Sequence, residues 1–165
     1  MLLPNWLLAA LSLALFVAVC MALARGQAHW SAIPIMVWAH LGSILLATGL
    51  TPIMLLRPKG DRPHRAIGYV WVTAMVGTAL ISLFLKLNRN DGALQGLGVF
   101  TGDFSPIHAL SVFVLIMVPL LVIFARQHKC AAHERAVRGL VIGALLIAGT
   151  FTFPFGRLMG AWLFG

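Results

Sequence analysis

The sequence predicts an all-α integral membrane protein with five transmembrane helices. The last four are read as a duplicated two-hairpin, four-helix core. Three observations carry this. Of 165 residues, 61% are apolar and only 10% are charged, whereas a water-soluble domain is about half apolar and a quarter charged. The apolar residues fall in five runs, each near the ~20 residues that cross ~30 Å of hydrocarbon. The runs then repeat one order of histidine, proline and arginine. A mean hydropathy of +0.96 excludes an ordinary cytosolic enzyme and a disordered tail.

The runs are 5–24, 34–56, 66–85, 105–125 and 139–154. Ala22-Leu23-Ala24 has the form of a signal cleavage site. However, Met1 to Asn5 carries no positive charge, and the run is long for a signal peptide, so 5–24 reads as a retained helix. Asp61 suits an N-cap and Pro63 a first helical turn, which starts the third helix. The fifth run is short. It borrows polar turns from 132–138, where Glu134 and Arg138 stand i,i+4 and pair. Pro154 and Gly156 should break it, leaving 155–165 as a short interfacial helix. The connection 88–103 is glycine-rich and receives no role.

Charge sets the orientation. Arg57, Lys59, Arg62, Arg65, Arg126, Lys129, Arg135 and Arg138 fall on one side. Arg25, Lys86, Arg89 and Arg157 fall on the other. The richer side is cytoplasmic, so the N-terminus is inside and the C-terminus outside. The formal charge of +8 would suggest nucleic acid in a soluble protein. Here the cations sit in short loops, so they read as topology signals and contacts to membrane lipids. Trp6, Trp30, Trp38, Trp71 and Trp162 all fall near expected helix ends, as an aromatic belt would. Cys20 and Cys130 lie on opposite sides, which opposes a disulfide.

The repeat spans 34–86 and 105–154. One half reads His40, Pro52, Arg57, His64-Arg65-Ala66-Ile67. The other reads His108, Pro119, Arg126, His133-Glu134-Arg135-Ala136-Val137. The two histidines of each half are 24 and 25 residues apart. Two halves of like topology would be related by an axis along the membrane normal.

This arrangement places His40 and His108 near the outer face, and His64 and His133 near the inner one. His40 lies about six residues into its helix, or ~9 Å. Facing imidazoles in an apolar bundle supply both axial positions of a b-type haem. Arg65 and Arg135 adjoin the inner pair and would hold propionates. Ala39, Ser43 and Ala47 form a small-residue strip beside His40 that admits a macrocycle or a neighbouring helix. The plainer reading also stands. An interfacial histidine beside arginines meets phosphate or water, and an embedded one makes a helix–helix hydrogen bond. His29 and His128 have no evident partner.

Gly139 and Gly143 form a Gly-xxx-Gly pattern that suits close helix packing. The seven methionines never recur as Met-x-x-Met, so they read as core filler. No carboxylate lies inside an apolar run, which opposes an acidic proton or sodium relay. No Ser-His-Asp order, zinc helix or phosphate loop is present.

Four stretches resemble a family of bacterial multi-pass membrane proteins known only as a domain of unknown function, the one numbered 2306. They are Arg62-Pro63-His64-Arg65-Ala66-Ile67-Gly68; Phe104-Ser105-Pro106-Ile107-His108-Ala109-Leu110-Ser111; Ala132-His133-Glu134-Arg135-Ala136; and Phe151-Thr152-Phe153-Pro154-Phe155-Gly156-Arg157-Leu158. The resemblance covers roughly 38–165. Glu134 stands where an arginine is common, and 66–69 replaces a more basic step. It implies fold and a bacterial inner-membrane location, with the C-terminus periplasmic, and no activity. The histidine order also resembles, in architecture alone, that of transmembrane di-haem b-type cytochromes. His64 and His133 stand nearer the helix ends than that pattern puts them.

Two functions follow as expectations. One is a haem-binding or quinone-linked electron-transfer protein using His40–His108 and His64–His133, with haem b as cofactor and iron on His40 and His108. The other is a cofactor-free accessory or scaffold subunit of a larger membrane complex. A transporter is a third, though no substrate site is visible.

Overall fold

Apolar side chains along nearly every helical face leave the backbone one way to satisfy its polar groups away from water, which is the helix itself. A computed structural model describes residues 3–84, 106–154 and 157–164. All regular structure among them is helical. α1 spans Asn5–Arg25, α2 Ile35–Leu56, α3 Arg62–Phe84, α4 Pro106–Arg126 and α5 Cys130–Leu140. α5 continues without a break through π-helical turns, Val141–Ile147, into α6, Ala148–Thr150. α7 spans Leu158–Phe164, and a 3₁₀ segment, Gln27–Ala32, links α1 to α2.

Four helices among the described residues are long and apolar enough to cross a membrane: Asn5–Arg25, Ile35–Leu56, Arg62–Leu83 and His108–Arg126. A helix of about 21 residues is ~32 Å long, close to the hydrocarbon thickness. The start of α3 follows the expected chemistry: Asp61 Oδ1 accepts the His64 backbone N–H at 2.7 Å, with Pro63 in the first turn. Pro52 and Pro119 lie inside α2 and α4. Glu134 accepts Arg138 at 2.7 Å and Lys59 at 3.1 Å. The second pair ties the α2–α3 turn to α5.

Each helix packs on its predecessor, and α1 packs in turn on the π-helical turns. The result is a closed ring. The expectation of a core made by the last four helices therefore needs correction: α1 contributes Leu8 and Ala9 to the main core, beside Ala47, Trp71, Met75, Val118, Leu140 and Leu145. Outward faces stay apolar, with Leu13, Val17, Leu46, Ile116 and Ile123 exposed.

Four further expectations change. Trp71 is no belt residue: it is 1% exposed, and its Nε1 donates to Thr51 Oγ1 at 3.0 Å. Nine residues into α3, it is too deep to reach headgroups. Gly139 and Gly143 have nothing within 4 Å of an added Cβ, so they do not mediate close packing. Gly49 and Gly149 do so instead: a Cβ there would stand 3.1 Å from Phe16 and 2.6 Å from Leu15. The helix ends at Thr150, ahead of Pro154, where the Thr150 and Thr152 hydroxyls fold back onto the Ile147 and Gly149 carbonyls. Finally, α7 docks on α1 rather than standing apart. Met159 joins Ala22, Leu23 and Leu41 in a second cluster, and the Arg25 guanidinium donates to the Leu163 carbonyl. The connection 88–103, with Lys86 and Arg89, lies outside the described residues, as do Ser105 and Gly156.

Candidate functional site

Placing a hydroxyl or imidazole in an apolar helix has a local consequence. The group bonds back to its own helix or across to a neighbour, because nothing else polar is near. In the half of the ring where α2 and α4 begin, these groups converge. A cavity of ≈ 160 Å³ lies between α1, α2, α3, α4 and the π-helical turns, and it is lined by His40, Thr48, Thr78, Ser82, Ser111 and Thr152 within an otherwise apolar wall. Among the described residues the lining contains no lysine, arginine, aspartate or glutamate.

Most of the hydroxyl protons are already committed. Thr48 donates to the Ile44 carbonyl at 2.7 Å and Thr152 to the Gly149 carbonyl at 2.6 Å. Thr78 sits 2.8 Å from both the Ser43 hydroxyl and the Ala74 carbonyl. Ser82 contacts the Ser111 hydroxyl and the Ala79 carbonyl. The exception is His40. The Thr78 backbone is within reach of the ring, but Nδ1 is buried without a well-formed hydrogen bond. A buried polar atom in that state calls for a partner such as a water, an ion or a ligand atom.

His108 is buried, at 6% exposed, and stands three residues before Ser111 on α4. It does not line the cavity. The structure thus brings His40 together with Ser111, Ser82 and Thr78. The small strip beside His40 receives α3 through the Ser43–Thr78 bond, and Ala47 is wholly buried in the core.

His64 and His133 do approach one another at the opposite end, where α3 and α5 begin. His133 is already engaged: its Nδ1 lies 3.0 Å from the Leu121 carbonyl, joining α5 to α4. His64 Nδ1 is buried without a hydrogen bond. Arg65 and Arg135 are exposed, and the Arg135 Nε turns back to the Ala131 carbonyl at 3.3 Å. Beside them, Asp61 is held below the usual carboxylate range, first by the His64 backbone N–H and then by Arg57. His29 stacks on Trp162, with ring centroids 6.4 Å apart. His128 takes a left-handed φ of 55° in the α4–α5 turn.

The residues do not fit a b-type haem in this packing. The cavity is about half the ~300 Å³ at the lower end of small-molecule pockets. The Ser82–Ser111 and Ser43–Thr78 contacts hold α3 against both neighbours where a macrocycle would lie. The chain matches no family model, no curated protein and no solved structure.

Sequence reasoning singled out His40 and missed its companions. Thr48, Thr78, Ser82 and Ser111 are hydroxyls embedded in apolar runs at helical spacing. That signal was available, since such residues cross-link membrane helices.

Proposed function

We propose that the chain is a five-span integral membrane protein of the bacterial inner membrane, and that the His40 cavity binds the ring of a lipid-soluble quinone. The fifth span is the continuous rod from Cys130 to Thr150. The N-terminus is cytoplasmic, the C-terminus is periplasmic, and the hairpins 34–86 and 105–154 descend from one duplicated unit. The observation that supports the functional reading is that His40, whose buried Nδ1 has no well-formed hydrogen bond, lines a cavity to which the described residues contribute no charged side chain.

An uncharged lining gives no counter-ion to a charged ligand, so burying a charge there is costly. The occupant is therefore neutral and enters from lipid. A neutral imidazole presents N–H or lone pair at Nδ1 according to tautomer. It thus meets a quinone carbonyl as donor and a quinol hydroxyl as acceptor. The hydroxyls around it, their protons spent on backbone carbonyls, offer lone pairs to a quinol. This is the quinone-linked branch of the electron-transfer expectation.

Quinone binding to detergent-solubilised protein tests the reading. His40→Ala should weaken binding about fivefold, the worth of one hydrogen bond near 1 kcal/mol. Unchanged affinity in that variant would overturn it. A reducible haem spectrum from the purified protein would overturn it in favour of the haem reading.

A further inference from the structure

Resting on that ring-binding reading, we infer that the ligand is a long-tailed amphiphile whose hydrocarbon tail lies in a second groove, with Leu15 as the gate between ring and tail. The groove lies between α1 and the α5–α6 rod and has a volume of ≈ 590 Å³. Leu11, Ala14 and Ala18 form one wall, and Leu146 and Ile147 the other. Phe153 and α7 close one end, and among the described residues Thr150 is its one polar lining residue.

The two spaces share a wall. Leu15 lines both. It presses on Gly149 so closely that a Cβ there would stand 2.6 Å from Leu15 Cδ2. The missing side chain at residue 149 lets α1 seal against α6, and the seal is the end of one flexible side chain. A leucine rotamer change needs no backbone motion. Ala148 and Gly149 face the polar cavity, while Ile147 and Thr150 face the groove. A molecule passing Leu15 would lie across the α1–α6 seam with one end in each space.

Volume and chemistry select the occupant. The cavity alone is smaller than the ~300–1,000 Å³ of small-molecule sites, and the groove falls inside that range. The cavity takes a ring and little more. The groove has no cation for a phosphate and, beyond Thr150, no polar group for a headgroup. A plain hydrocarbon or isoprenoid tail satisfies it, and tethering that tail to the ring occupies both spaces with one molecule.

The test uses two probes on the whole detergent-solubilised chain: a benzoquinone ring without a tail, and the same ring carrying a decyl tail. Ala14 is exposed on the groove wall and does not line the cavity. Ala14→Phe should therefore weaken the tailed probe about threefold or more while leaving the tail-less ring unchanged, since a tail already dissolved in detergent gains mainly by packing. His40→Ala should weaken both probes. Partition into micelles is common to all variants and cancels. Equal tailed-probe affinity in wild type and Ala14→Phe would show that bulk acyl chains fill the groove, and would overturn this inference alone. A dimer of the wild type lost in Ala14→Phe would assign the groove to a second copy, with the same result. Binding of neither probe to wild type would overturn the ring reading and this inference with it.

Discussion

Thr51→Val combined with Trp71→Phe gives the most direct measure of what holds the bundle together. The indole of Trp71 and the hydroxyl of Thr51 are each 1% exposed, and Nε1 donates to Oγ1 over 3.0 Å. The same hydroxyl donates to the Ala47 carbonyl at 2.8 Å, so it is oriented to accept from the indole. Thr51→Val keeps the shape and strands the indole N–H. In water-soluble proteins a stranded buried donor costs about 1–3 kcal/mol. Between membrane helices the measured coupling is smaller, near 0.6 and at most about 1.7 kcal/mol, because the unfolded chain finds other partners. The smaller scale governs here. Trp71→Phe loses packing volume as well as the donor and should cost more by itself. In the double variant no donor is left to strand. It should therefore be more stable than the two single effects predict, by about 0.6–1.7 kcal/mol. Helicity followed by circular dichroism during titration from mild detergent into dodecyl sulfate reads all four species. Additive single effects would refute the strut role, and so would a Thr51→Val variant as stable as wild type.

Two further predictions concern the start of α3 and the glycines of the α5–α6 rod. Asp61 has a folded pKa below its usual value of 3.8, so its contribution is present above that value and lost as pH falls through the folded pKa. Protection from hydrogen exchange at the first turn of α3, after correction for the intrinsic pH dependence of amide exchange, should therefore fall under acid conditions in wild type, and the corrected exchange should rise. It should be fast at all pH in Asp61→Ala; an exchange rate indifferent to both changes would remove the cap from the account. Gly139→Ala and Gly143→Ala meet open space and should stabilise the rod by up to about 1 kcal/mol each through helix propensity. A loss of stability or of a partner subunit would restore the pair as a packing motif.

The helical class and the four long spans were legible because hydrophobic run length is a one-dimensional quantity. The Asp61 cap and the Glu134–Arg138 pair were legible for a related reason: their partners lie three or four residues away. Trp71 was misread because distance from a helix end was judged from a run starting at residue 66, whereas α3 starts at Arg62. The glycine pattern was misread because spacing tells which residues share a face, not what that face meets. The hydroxyls around His40 were passed over one by one. Each is ordinary in a membrane helix, and only their convergence from three helices and the turn after α6 is unusual.

The sequence by itself determined that this chain folds as apolar helices, that Asp61 caps α3, and that the cations fall between the apolar runs. These follow from local rules of backbone satisfaction, capping and charge. Only the tertiary structure decided that α1 closes the ring, that His40 shares its cavity with serines and threonines rather than with His108, and that Leu15 meets Gly149. Those outcomes depend on helix rotation about its own axis. In a chain apolar on nearly every face, no hydrophobic gradient sets that rotation, so side-chain packing and the few polar cross-links set it instead.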